Sequence, residues 1–103
     1  MLENMFGDLQ KQQEEMQKKL ASITVEADAE DGAVIVKASA DMSIKNIKID
    51  ASKIDPKDTE QLEDLLVVAV NEALEKARVK AAIETNKLLE GMMPGGLGGL
   101  MGS

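Results

Sequence analysis

The sequence predicts an α+β fold in which two long helices bracket a three-stranded antiparallel meander, in the order α-β-β-β-α. Three observations carry this. Apolar residues recur every three or four positions from Leu2 to Ile23, they alternate with polar ones from Ser22 onward, and no Gly or Pro interrupts the chain between Pro56 and Gly91. The first pattern marks a helix, the second marks strands, and the third allows a second helix of about 30 residues. The 103 residues leave room for a single core.

In the first helix, expected over about residues 2–21, the apolar positions are Leu2, Phe6, Leu9, Met16, Leu20 and Ile23, with Gln13 in the remaining polar slot. That spacing is a heptad seam, which serves equally to cover a sheet or to zip against another chain. Beyond Ser22, Ile23, Val25, Ala27 and Ala29 alternate with Thr24, Glu26, Asp28 and Glu30, as in a half-buried strand. Asp31-Gly32 supplies the positive φ of a tight hairpin turn. The second strand is expected over residues 34–39, a turn at Ala40-Asp41-Met42 follows, and the third strand covers about residues 43–49. Ile44 is out of phase with Ile47 and Ile49, so a bulge or a face switch is expected near Lys45-Asn46. Asp55-Pro56 reads as an N-cap followed by proline at the first helical position, and Asp58, Glu60, Glu63 and Asp64 place negative charge where the helix dipole favours it.

A straight helix of about 30 residues is roughly 45 Å long. A compact domain of this size has a radius of gyration of only about 13 Å, so such a helix must project or lie on a second chain. Its stripe of Leu62, Leu66, Ala69, Val70, Ala73 and Ala77 suits one side of a sheet. Residues 65–70, however, are apolar all round. Leaving Val67 and Val68 in water forgoes roughly 1.5–3 kcal/mol each, so either the first helix or a second copy should cover them. The reading adopted is a homodimer, with Leu62, Leu65, Leu66, Val67, Val68, Ala69, Val70 and Ala73 as its expected interface. The folded domain spans residues 1–90. Residues 91–103 carry no charge and six of the thirteen are Gly, so they are expected to form a flexible Gly/Met/Leu-rich tail.

Composition removes most chemistries. There is no Cys, His, Trp or Tyr, which excludes disulfides, thiolate zinc sites and Ser-His or Cys-His nucleophiles. The carboxylates Asp28, Glu30, Asp31, Asp55 and Asp58 fall in turns and helix ends that water reaches, where nothing shifts them toward acid–base work. They also lack the ligand spacing of a calcium loop, and the tail glycines lack the lysine of a phosphate-binding loop. No enzyme activity, cofactor, metal or small-molecule substrate is expected. The longest apolar run, residues 65–70, falls far short of the roughly 20 residues that span a bilayer, and the N-terminus has no basic region of a signal peptide. The expected compartment is the cytoplasm.

The net charge of −7 favours solubility over attraction to phosphate. The basic residues are nonetheless grouped. Lys76, Arg78 and Lys80 fall within five residues, and helical periodicity puts Lys76, Lys80 and Lys87 on one side of the second helix. On the first helix Lys11 and Lys18 are seven apart, with Lys19 beside them. Acids at Asp8, Glu14, Glu15, Glu75 and Glu84 flank both groups. Repeated in a dimer, the two stripes could grip a duplex.

The whole pattern resembles the YbaB/EbfC family of bacterial nucleoid-associated proteins. The resemblance rests on Met5-Phe6-Gly7 with the Gln/Met/Lys-rich helix to Leu20, on Gly32-Ala33-Val34-Ile35-Val36, on Ile47-Lys48-Ile49-Asp50, and most densely on residues 62–73. It implies an α-β-β-β-α homodimer with projecting helices that binds double-stranded DNA in the nucleoid, with a nucleoid-associated or regulatory role and no catalysis. The DNA contacts it implies fall on Lys11, Lys18, Lys19, Lys76, Arg78, Lys80 and Lys87. Ala40-Asp41-Met42 stands where relatives commonly have Gly. The alternative is an acidic dimeric adaptor that holds another protein through its seam or its tail, without direct DNA binding.

Overall fold

The computed structural model describes residues 2–92. Its elements are α1 (Leu2–Ser22), β1 (Thr24–Ala29), β2 (Val34–Ser39), β3 (Ser43–Ile49) and α2 (Thr59–Met92), with a one-turn 3-10 helix at Ala51–Lys53. This is the expected α+β order. The sheet runs β1-β2-β3 with both pairs antiparallel.

Local chemistry closes both hairpins. Ala33 N–H donates to the Glu30 carbonyl at 3.1 Å, and Asp31 and Gly32 hold φ of 53° and 87°. Positive φ at both central residues is the type I′ turn, whose twist matches that of the strands. At the second turn Met42 N–H donates to the Ser39 carbonyl at 2.9 Å, and the Asp41 carboxylate accepts from the Ser39 hydroxyl and the Ser43 N–H. In β3, Asn46 faces Lys37 while Ile44 faces Ala38, so Lys45 is the extra residue of a bulge. The bulge settles the phase of the strand: Ile44, Ile47 and Ile49 are paired with Ala38, Val36 and Val34, and so share their face of the sheet.

The start of α2 differs from expectation. Asp58, not Asp55, is its N-cap, with Oδ1 accepting from Gln61 N–H at 3.0 Å. Asp55 instead closes a turn, its side chain accepting from Lys57 N–H at 2.9 Å and its carbonyl from Asp58 N–H at 3.0 Å. The fixed φ of Pro56 suits the second position of that turn as well as it suits a first helical position. At its other end α2 continues through Gly91 and Met92, taking in two residues assigned to the tail. The rest of the expected tail, residues 93–103, lies outside the described residues.

The core sits between α2 and the β1–β2 half of the sheet. Ala69, Ala73 and Ala77 are fully buried against Ala27, Ala29, Val34, Val36 and Ala38, with Leu62, Leu65, Leu66 and Val70 packed at the margin. Small side chains on both surfaces let the helix lie close to the strands. α1 does not cover the sheet. Just past its end Ala40 N–H donates to the Ile23 carbonyl at 2.9 Å, and Met5, Phe6 and Leu9 stand exposed. The molecule is therefore a thin slab with projecting arms, 63 × 38 × 17 Å, with a radius of gyration of 19.4 Å against about 13 Å for a compact chain.

Apolar surface also remains uncovered on the sheet and on α2. Ile44, Ile47 and Ile49 are 38–45% exposed because α2 lies over β1 and β2 rather than β3. Val67 and Val68 are 59% and 55% exposed, so α1 of the same chain does not shield them.

Candidate nucleic-acid interface

The seven basic residues of the arms occupy three environments. Lys76 and Lys80 line one shallow cleft with Val25, Glu75 and Val79. Lys76 Nζ donates to the Glu26 carbonyl at 2.9 Å on the free edge of β1, and lies 4.0 Å from Glu72. The row Lys76, Lys80 and Lys87 thus shares the helix face of Ala73 and Ala77, and continues the core-facing stripe past the end of the sheet. It flanks the buried stripe on the β1 side, with the Lys76 and Lys87 side chains still 50% and 64% exposed.

The second environment joins the arms. Glu84 Oε2 is 3.0 Å from Lys19 Nζ on α1, and Oε1 is 3.4 Å from Lys87. With its side chain only 13% exposed, Glu84 is the pivot of this clasp. The Lys19 ammonium first, and Lys87 behind it, hold the Glu84 carboxyl below its ordinary pKa. Gln12, Glu15, Met16, Lys19, Lys87, Leu88 and Gly91 line the groove between the two helices, which run antiparallel here.

The third environment is solvent. Lys11 and Lys18 lie on α1 with no ion pair among the described residues. Arg78 is exposed but forms a forked pair with Glu75, at 2.6 and 3.1 Å, which lowers the Glu75 pKa. Four of the seven cations, Lys19, Lys76, Arg78 and Lys87, are therefore already matched to carboxylates.

Helical stripes do not contain all the available cations. Lys37, Lys45 and Lys48 lie on β2 and β3, and Lys53 follows them. The signal that marks Lys37 and Lys48 is the polar phase of strand alternation, which places both on the face opposite Val34 and Val36. No group of acidic side chains among the described residues is placed to hold a metal ion. No described helix is long and apolar enough to cross a membrane.

Comparison with known proteins decides what these arms and this sheet belong to. Residues 1–92 match the model of the YbaB/EbfC DNA-binding family. The chain belongs to this family. Relatives described as nucleoid-associated proteins include one from Acetivibrio thermocellus, 44% identical over 91% of this chain and 79% of its own length. Another, from Myxococcus xanthus, is 46% identical over 80% of this chain and 79% of its own. An uncharacterized protein from Helicobacter pylori has the same fold, with a TM-score of 0.69 at 17% identity, covering 85% of this chain and 92% of that one. The YbaB/EbfC match covers every element described above, from α1 through α2.

Proposed function

We propose that this chain is a homodimeric, nucleoid-associated protein that binds double-stranded DNA and has a gene-regulatory rather than a catalytic role. The observation that carries the reading is the match of residues 1–92 to a DNA-binding family. The arms supply the contacts, through Lys11, Lys18, Lys19, Lys76, Arg78, Lys80 and Lys87. Lys11, Lys18 and Lys80, free of ion pairs among the described residues, meet phosphate directly, whereas the other four must first leave a carboxylate.

The dimer in this reading uses the uncovered apolar surface. Ala69 and Ala73 belong to the chain's own core and have nothing to offer a partner. Lys76 reaches the β1 edge, and helical periodicity puts Val67 and Val70 roughly 120–180° round the helix from it, toward β3. Those two valines and Ile44, Ile47 and Ile49 form the face that a second copy would bury.

A gel shift with duplex DNA at low and moderate salt tests the function. Binding should weaken with log salt at a slope near −0.9 per phosphate contact, and Lys76→Ala with Lys80→Ala should flatten it. No binding at low salt would overturn the reading. One observation favours a second reading, an adaptor for another protein: the exposed row Met5, Phe6 and Leu9 on an acidic chain. Association that survives nuclease treatment in a pulldown would support that alternative.

A further inference from the structure

Net positive charge in this chain lies away from the arms. α1 carries three lysines against four acids, and α2 carries four basic residues against seven acids. Residues 33–54, which hold β2, β3 and the turn that follows, carry four lysines against two aspartates. This stretch is net positive, whereas each arm taken whole is net negative.

The register shows how the lysines are displayed. Glu26, Lys37 and Asn46 are paired across the sheet, as are Asp28, Ile35 and Lys48. Cross-strand partners share a face, so these residues lie on the side opposite the α2-covered core. That side is open: Asn46 and Lys48 are exposed and Ile35 and Lys37 are only half-buried. Lys37 and Lys48 are diagonal neighbours, about 7–8 Å apart at the backbone. Lys48 and Lys53 line one cleft of about 450 Å³ together with Gly32, Ile35, Ile49, Asp50 and Ala51. Lys53 Nζ donates to the Asp31 carbonyl at 2.6 Å and forms no ion pair, although its charge is felt by the nearby Asp50 carboxylate. None of Lys37, Lys45, Lys48 and Lys53 forms an ion pair among the described residues. Asp41 feels Lys45 only after its bonds to Ser39 and Ser43.

From this we infer that the open face of the sheet along β2 and β3 is a second phosphate-binding surface for double-stranded DNA, formed by Lys37, Lys48 and Lys53, with Lys45 at the bulge beside it. The inference rests on the DNA-binding reading and deepens it. Charge complementarity selects the occupant: a polyanion gains from ammonium groups that form no ion pair among the described residues, while the acids Glu26 and Asp28 on β1 confine it to the β3 side. No aromatic side chain stands on this face for bases to stack on, which fits contact with a duplex backbone rather than a single strand.

The test compares salt slopes of full-length protein on one duplex. The variant Lys37→Ala/Lys45→Ala/Lys48→Ala is measured beside Lys76→Ala/Lys80→Ala and the unaltered protein. The sheet variant should lose two to three contacts per chain, flattening the slope by about 0.9 for each. The charge-keeping variant Lys37→Arg/Lys45→Arg/Lys48→Arg should retain the full slope, which separates loss of charge from loss of fold. Sheet and arm variants combined should flatten the slope additively. Binding by the unaltered protein with an unchanged slope in the sheet variant would overturn this inference and leave the DNA-binding reading standing. No binding by the unaltered protein at low salt would overturn both.

Discussion

At Met42 the backbone holds φ at 69°, a left-handed conformation that costs an L-residue about 1–2 kcal/mol and glycine nothing. The turn tolerates it because Asp41 ties together Ser39 and Ser43 on either side. Comparing Met42→Gly with Met42→Ala isolates the backbone term from the loss of the side chain. The glycine variant should be the more stable by about 1 kcal/mol in urea unfolding. Asp58 makes a second prediction at this scale. As the N-cap of α2, its replacement by Ala should cost about 1 kcal/mol, and Asp55→Ala should cost less because its bonds serve only a turn. Asp-Pro and Asp-Thr both carry start signals, so only the hydrogen bond to Gln61 distinguishes the true cap. That bond depends on the approach of the preceding loop, which local sequence does not specify.

Among the elements, β1 and β2 are readable from the sequence because each buries one face along its whole length, and period-two alternation follows directly. β3 is harder, since the bulge at Lys45 shifts the phase and turns a regular row of isoleucines into an irregular pattern. The orientation of α2 exposes a different limit. Periodicity gathers Lys76, Lys80 and Lys87 onto one side, yet it fixes only angles between residues, not which side meets the sheet. The alanines decide that, and they share the lysines' side. The sheet lysines escape a search for helical stripes because their common face exists only once the strands are paired.

The clasp between the arms carries an acid-sensitive prediction. Glu84 has a lowered pKa in the folded chain, so its pairing with Lys19 and Lys87 stabilises the arms fully above the ordinary glutamate value of about 4.3. The contribution falls away as pH drops below that value through the lowered one. Spin labels on α1 and α2 should therefore report the arms parting in acid, and Glu84→Gln should show the parted distance at neutral pH. A distance unchanged by pH and by the substitution would show that the helices are held by other contacts.

On the scale of the whole molecule, the face of Ile44, Ile47, Ile49, Val67 and Val70 predicts the state of association. Light scattering should give about twice the chain mass of 11.1 kDa for the unaltered protein. Ile47→Glu places a charge in the centre of that face and should yield a species near 11.1 kDa with a lower heat-unfolding midpoint than the unaltered protein. An unchanged mass for the variant would move the contact elsewhere, with the exposed row on α1 next in line.

The interior of a single subunit is modest: its largest fully buried side chains are Val34, Val36 and Ser39, and most of the remainder is alanine. So little grease leaves scant reserve against the entropy of the unfolded chain. Folding and pairing should consequently be governed together by mass action, with the heat-unfolding midpoint climbing as the protein is concentrated and sinking on dilution.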